Sequence, residues 1–158
     1  MQLRSDNNAL TVAIQAGGKS TRMGRDKSFI PFQGRPMIEI VRDNVAELGD
    51  ELILITNNPE PYAYLELPTY GDIFEDHGPL GGIHSALVHA GSPHVLMVAC
   101  DMPWLNRDLL TYLIGLRETA DVVVPRLGKF PEPLHAVYGK TCLEPVEKYL
   151  EAGDLKIA

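Results

Sequence analysis

The sequence predicts an α/β domain with a mostly parallel central sheet, and three observations predict it. The apolar runs Leu10–Ile14, Leu52–Ile55 and Val95–Cys100 are short and continuous, as strands covered on both faces should be. Between the first two, Met37, Ile38, Val41, Val45 and Leu48 recur at helical spacing, which makes a βαβ unit. Directly after the first run stands Gln15-Ala16-Gly17-Gly18-Lys19-Ser20-Thr21-Arg22-Met23-Gly24-Arg25-Asp26-Lys27. Its glycines let backbone N–H groups close on a ligand, and Lys19, Arg22, Arg25 and Lys27 surround them with positive charge, so a phosphate-binding loop is the natural reading.

Two common motifs do not fit this loop. Gly18-Lys19-Ser20 imitates the end of G-x-x-x-x-G-K-[ST], but the first glycine would fall on Ala13, and Gly24-Arg25-Asp26 interrupts the helix that should follow. G-x-G-x-x-G fails because Gly17 and Gly18 are adjacent and no acidic residue ends a following strand at the right distance.

A chain of 158 residues with 45% hydrophobic composition can bury one sizeable core, so residues 10–158 are expected to form one domain behind a flexible N-terminus, 1–9. A net charge of -7 argues against sequence-independent nucleic-acid binding and leaves acidic ligands to local basic clusters. No apolar stretch approaches membrane-spanning length and the polar start is no signal peptide, so a cytoplasmic protein without a membrane partner is expected. Cys100 and Cys142 lack C-x-x-C spacing and read as small apolar residues.

The remaining elements follow in order. Phe29–Phe32 is extended, Gln33-Gly34-Arg35 turns, Pro36 suits the first helical position, and Gly49 stops the helix after Leu48. Asn57-Asn58-Pro59 follows the second strand where open α/β sheets bind ligands, although asparagines also serve plain turn chemistry. Glu60–Leu67 reads as a short irregular helix broken by Pro61, and Pro68-Thr69-Tyr70 as an edge strand. Asp72–Gly82 is a second glycine-rich turn, opening a helix with Ile83, Leu87 and Val88 as its apolar face. Its free N–H groups serve a phosphate or a ribose hydroxyl, or only a tight helix start.

The third strand ends in Asp101-Met102-Pro103. A carboxylate there is a candidate ligand for Mg²⁺, a hard cation that bridges carboxylates to phosphates; the other reading is a cap or turn former. Asn106 caps a helix over Arg107–Arg117 with Leu109, Leu110, Leu113 and Ile114 inward. Asp121–Pro125 is a further strand, Arg126–Pro133 a loop and Leu134–Tyr138 a returning strand. That excursion is either a wall for an acceptor substrate, with Arg126, Lys129 and His135 as contacts, or a surface hairpin with a half-buried histidine. Thr141–Ala152 forms the last helix, capped by Gly153. The other histidines show no i,i+4 pair, so zinc is not expected.

Four motifs in order, Ala16-Gly17-Gly18-x-Ser20-x-Arg22-Met23-Gly24-x-Asp26-Lys27, Gly78-Pro79-Leu80-Gly81-Gly82-Ile83, Cys100-Asp101-Met102-Pro103 and Glu132-Pro133-Leu134-His135-Ala136-Val137-Tyr138, resemble the molybdenum cofactor guanylyltransferases. The resemblance runs from Leu10 to Gly153; the first motif alone indicates only the wider nucleotidyltransferase superfamily. It implies a Rossmann-like three-layer nucleotidyltransferase fold that uses GTP and Mg²⁺ to join GMP to molybdopterin, or its molybdenum-loaded form, with release of pyrophosphate. By the resemblance, the nucleotide loop falls on Gln15, Ala16, Gly17 and Gly18, and the phosphate-binding lysine on Lys27. Arg22 matches the loop arginine, Asn57 and Asp72 the base- and ribose-side contacts, Asp101 the metal aspartate, and Pro133 to His135 the pterin-side region.

Arg22, Lys27 and Asp101 are then catalytic only as electrostatic stabilisers of phosphoryl transfer. A molybdoenzyme or a cofactor chaperone is the implied recipient of the product. Use of CTP, another phosphorylated acceptor, or a non-catalytic nucleotide-binding role are the alternatives. Two departures stand out. Gln15 replaces a usual apolar residue, its amide facing either the base or the backbone, and family members continue past Leu155-Lys156-Ile157-Ala158 into a further strand and helix. Either the sequence is a fragment or the site is incomplete.

Overall fold

The computed structural model describes residues 9–16, 29–75, 77–102 and 104–153. Each continuous apolar run is a strand: β1 is Leu10–Gln15, β4 Glu51–Ile55 and β6 His94–Ala99. Between β1 and β4 lie the short strands β2 (Pro31–Phe32) and β3 (Arg35–Pro36) and helix α1, Met37–Val45. Strand β5 (Thr69–Tyr70) and helix α2 (Gly78–His89) lead to β6, and helix α3 (Arg107–Gly115) to β7, Val122–Val123. The hairpin β8 (Arg126–Leu127) and β9 (Phe130–Pro131) precedes β10, His135–Gly139, and helix α4, Leu143–Glu151.

The main sheet has six strands in the order β5-β4-β1-β6-β10-β7. Pairing of β1 with β4 and β6, and of β4 with β5, is parallel, whereas β10 runs antiparallel to both β6 and β7. The expected mostly parallel sheet is therefore present, with one reversed strand inside it. Its two faces explain the unbroken apolar runs. Val12, Ile14, Leu96 and Val98 face one layer, where Ile38, Val41 and Val45 of α1 meet Leu110 and Leu113 of α3. Ala13, Val95 and Met97 face the other, with Ile83, Ala86 and Leu87 of α2 and Val146 of α4. Side chains alternate across a strand, so a sheet covered on both faces must be apolar at every position.

Several local expectations are corrected. Pro36 is extended (φ -57°, ψ 138°) and caps α1 from outside, because it still belongs to the β2–β3 hairpin. That helix ends at Val45, before Leu48, and Gly49 is no stop signal: a Cβ there would lie 2.8 Å from the Leu10 carbonyl oxygen, so the glycine permits close passage over β1. Residues Glu60–Leu65 form a 3₁₀ helix that Pro61 opens, since proline is tolerated in a first turn. Val88 is exposed, and α2 instead buries everything from Leu80 to Leu87, being enclosed all round through its middle turns. In α3 the Asn106 side chain accepts from the Leu109 N–H at 3.1 Å as expected, but the helix stops at Gly115 and Leu109 is exposed. Only Val122–Val123 of the strand expected over 121–125 pairs with β10. Gly153 takes φ +74° behind α4, the left-handed conformation that ends helices. Among the described residues no helix is long and apolar enough to cross a membrane.

Candidate active site

From β1 the chain moves outward to β4 and β5, then returns through α2 to β6 on the opposite side of β1. The carboxyl ends of strands at such a reversal open a crevice where open α/β sheets bind ligands. Register fixes its rim: Gln15 lies opposite Ile55 on one side and Ala99 on the other. The last ladder bonds run from the Ala16 N–H to the Ile55 oxygen at 2.9 Å and from the Cys100 N–H to the Gln15 oxygen at 3.0 Å. Just beyond this level come Asn57, Asp72 and Asp101, each two residues past the end of its strand. His135 begins β10 opposite Val98, so the Pro133-Leu134 turn reaches the same rim. Gly17, Gly18, Arg22 and Lys27, with Lys19 and Arg25, lie outside the described residues.

Asn57 and Asp72 are joined directly. The Asp72 backbone N–H donates to Asn57 Oδ1 at 2.7 Å, and Asn57 Nδ2 donates to Asp72 Oδ2 at 3.3 Å. Asn57 therefore does more than turn the chain, for it clamps the loop after β5 to the end of β4. Opposite the clamp is the first turn of α2: a Cβ on Gly81 would lie 3.2 Å from Asp72 Oδ2 and 2.9 Å from the Phe74 carbonyl oxygen. Glycine is required there because backbone and carboxylate leave no room for a side chain.

Burial raises the pKa of Asp72, Glu75 adds to the shift, and the Asn57 hydrogen bond opposes it. A raised carboxylate pKa means that the native state holds its proton more tightly than the unfolded chain. Stability accordingly falls as pH rises from the ordinary value of 3.8 through the raised one, and stays lowered above it. Asp72→Asn is thus expected to raise the thermal midpoint at neutral pH and to lose that advantage below the ordinary carboxylate range. Parallel melting curves from acid to neutral pH read this difference, and a variant less stable at neutral pH would contradict it.

The Gln15 amide lies against α2, where a Cβ on Gly82 would come within 2.2 Å of its Nε2. The amide faces the helix backbone, and its Oε1 is buried without a hydrogen-bond partner among the described residues. On the other side of the crevice, the Tyr138 hydroxyl donates to the Pro133 oxygen at 2.6 Å and pins the turn before β10. His135 is half-buried with its Nε2 unpartnered among the described residues, and burial lowers its pKa, which favours the neutral ring. Arg126 and Lys129 stand exposed on the β8–β9 hairpin, turned by Gly128 at φ +64°. The excursion is a surface hairpin rooted at the rim.

Asp101 is exposed, and no cluster of three or more His, Cys, Asp or Glu that could hold a metal occurs among the described residues. One carboxylate with open surroundings suits Mg²⁺, which keeps several waters and takes substrate phosphates as further ligands. Sequence reasoning missed one feature of this rim. Trp104, three residues past Asp101, meets Phe32 edge-to-face with ring centroids 4.8 Å apart. The available signal was the chain's one tryptophan, placed directly after the candidate metal aspartate.

A crevice at the carboxyl ends of parallel strands, rimmed by carboxylates and by the glycine-rich start of α2, is where open α/β sheets hold their ligands. The comparisons agree with it. A Clostridium perfringens protein named "Probable molybdenum cofactor guanylyltransferase" is 40% identical over 141 residues, covering 89% of this chain and 71% of its own length. The molybdenum cofactor guanylyltransferase of Desulfosudis oleivorans is 38% identical over 151 residues, covering 94% and 75%. Among solved structures, molybdopterin-guanine dinucleotide biosynthesis protein A from Archaeoglobus fulgidus superposes with a TM-score of 0.79 at 27% identity, over 93% of this chain and 76% of that one. The profile of the MobA-like NTP transferase domain matches residues 12–157, nearly everything from β1 onward. Fold, crevice and sequence concur: this chain belongs to the MobA-like NTP transferase family and is a nucleotidyltransferase.

Proposed function

We propose that the protein transfers GMP from GTP to the terminal phosphate of molybdopterin, in its free or molybdenum-loaded form, and releases pyrophosphate. The observation that carries this reading is the Asn57–Asp72 clamp seated against Gly81, on the same rim as Asp101. The clamp offers a half-buried carboxylate to the donor groups of a nucleoside, and Asp101 offers an exposed one toward phosphate. The names of the relatives, each a molybdenum cofactor guanylyltransferase, support the choice of base and acceptor.

In the reaction an acceptor phosphate oxygen forms a bond to the α-phosphorus of GTP, and the bond from that phosphorus to the bridging oxygen of pyrophosphate breaks. No side chain is consumed. The chain's task is to position both phosphates and neutralise charge. Asn57 and Asp72 hold the nucleoside, while Gln15, Ala16, Gly17 and Gly18 line its approach. Lys27 and Arg22 take phosphate oxygens, and Pro133 and His135 meet the acceptor. Asp101 would hold Mg²⁺, which would supply Lewis-acid polarisation of the phosphoryl oxygens. The product then passes to a molybdoenzyme or a cofactor chaperone in the cytoplasm.

The test is pyrophosphate release from this 158-residue chain with Mg²⁺, molybdopterin and GTP, CTP or ATP in turn. Release with GTP alone is expected. Release with CTP in preference would reassign the base, and binding of GTP with no release would show that these 158 residues hold the nucleotide without completing the transfer.

A further inference from the structure

Trp104 is 79% exposed, more than any other large apolar side chain among the described residues, although Leu127, Phe130 and Tyr112 also stand out from the two core layers. It is not loose on the surface. Phe32 meets it at 83° and 4.8 Å, a T-shaped contact that fixes the indole from one side. The two rings come from separate segments of one rim. Phe32 lies in the β2–β3 hairpin that leads into α1, and Trp104 in the connection from β6 to α3, so both stand where the helices of the same layer begin. Trp104 stands three positions past Asp101, a span of about 11 Å at most.

The nucleoside side of the crevice is the other one. Asn57 and Asp72 follow β4 and β5, at one end of the strand order, whereas Trp104 follows β6 and leads into α3, which packs on β10. A flat, exposed, braced indole placed after β6 fits a planar heteroaromatic ring, since base-like rings stack on aromatic side chains without needing a specific hydrogen-bond pattern. The acceptor carries such a ring, a pterin, at the end remote from its reacting phosphate. We propose that Trp104, braced by Phe32, is the platform on which the acceptor's pterin stacks while its phosphate reaches the metal aspartate. The inference rests on the guanylyl-transfer reading above and adds to it a residue outside the motifs that define the family resemblance.

The test compares wild type, Trp104→Ala and Trp104→Phe in steady-state pyrophosphate release. In Trp104→Ala the KM for molybdopterin should rise about tenfold, the size of one lost stacking contact. The KM for GTP and kcat at saturating acceptor should be unchanged, and Trp104→Phe should restore most of the acceptor affinity. A rise in the GTP KM instead would give the ring to the nucleotide base, and no change in either KM would remove it from the site; both overturn the proposal. A second readout does not depend on turnover. Because Trp104 is the chain's one tryptophan, its fluorescence reports this position alone. Titration with 6-hydroxymethylpterin should quench it saturably, and GTP should not compete. A wild type that is quenched by the pterin yet releases no pyrophosphate would refute the reaction and keep the platform, whereas turnover without saturable quenching would keep the reaction and refute the platform.

Discussion

Replacing Asp101 by alanine is expected to lower GTP-dependent pyrophosphate release by about a thousandfold, with no measurable change in thermal midpoint. The two halves of that expectation have separate causes. Asp101 is exposed beyond the end of β6 and packs into neither core layer, so its removal leaves no cavity and strands no buried partner. Its carboxylate is the hard donor proposed above for Mg²⁺, and charge stabilisation by a bound cation contributes several kcal/mol to phosphoryl transfer. Asp101→Asn keeps the shape and removes the charge, and should be nearly as inactive. Activity retained in both variants, with its dependence on Mg²⁺ unaltered, would sink the assignment.

Gly81→Ala has the next largest effect, and its sign is opposite to the one helix propensity gives. Alanine in a helix interior is favoured over glycine by up to about 1 kcal/mol. Position 81, however, lies in the first turn of α2, and its Cβ would stand 2.9 Å from a backbone oxygen, that of Phe74, and 3.2 Å from the Asp72 carboxylate. A side chain can swing aside, but the Phe74 carbonyl moves only with its loop. Overpacking of this kind costs typically about 1–3 kcal/mol, which outweighs the propensity gain. The displaced loop carries Asp72, so the GTP affinity should fall together with the melting temperature. Gly115→Ala, where a Cβ meets nothing within 4 Å, is the control and should leave nucleotide binding alone. An unchanged affinity in Gly81→Ala would separate the Asp72 clamp from the nucleotide.

The sheet was legible in the sequence because burial on both faces writes an unbroken apolar run, and β1, β4 and β6 are all such runs. The place of Asp101 just past β6 was legible for the same reason, since it is the first charge after one of them. What the sequence concealed was spacing in three dimensions. Gly49, Gly81 and Gly82 look like turn or capping residues in one dimension, and in the fold each lets another segment pass close by. The clamp between Asn57 and Asp72 joins positions fifteen residues apart, which no local pattern encodes. The Phe32–Trp104 contact is more distant still, and nothing in the spacing of either residue points to the other.

The reversed strand has a consequence for how the molecule is made. The neighbours β5, β4, β1 and β6 are all synthesised by residue 99, but β7 finds no partner until β10 fills the slot beside β6 some dozen residues later. Non-local pairings of this sort are slow, and domains emerging from the ribosome fold in the order their contacts become available. The edge bearing Asn57 and Asp72 can therefore be in place while the polypeptide is still growing. The edge bearing His135 is finished last, so a chain interrupted before residue 139 would own the Asn57–Asp72 half of the crevice and lack the other.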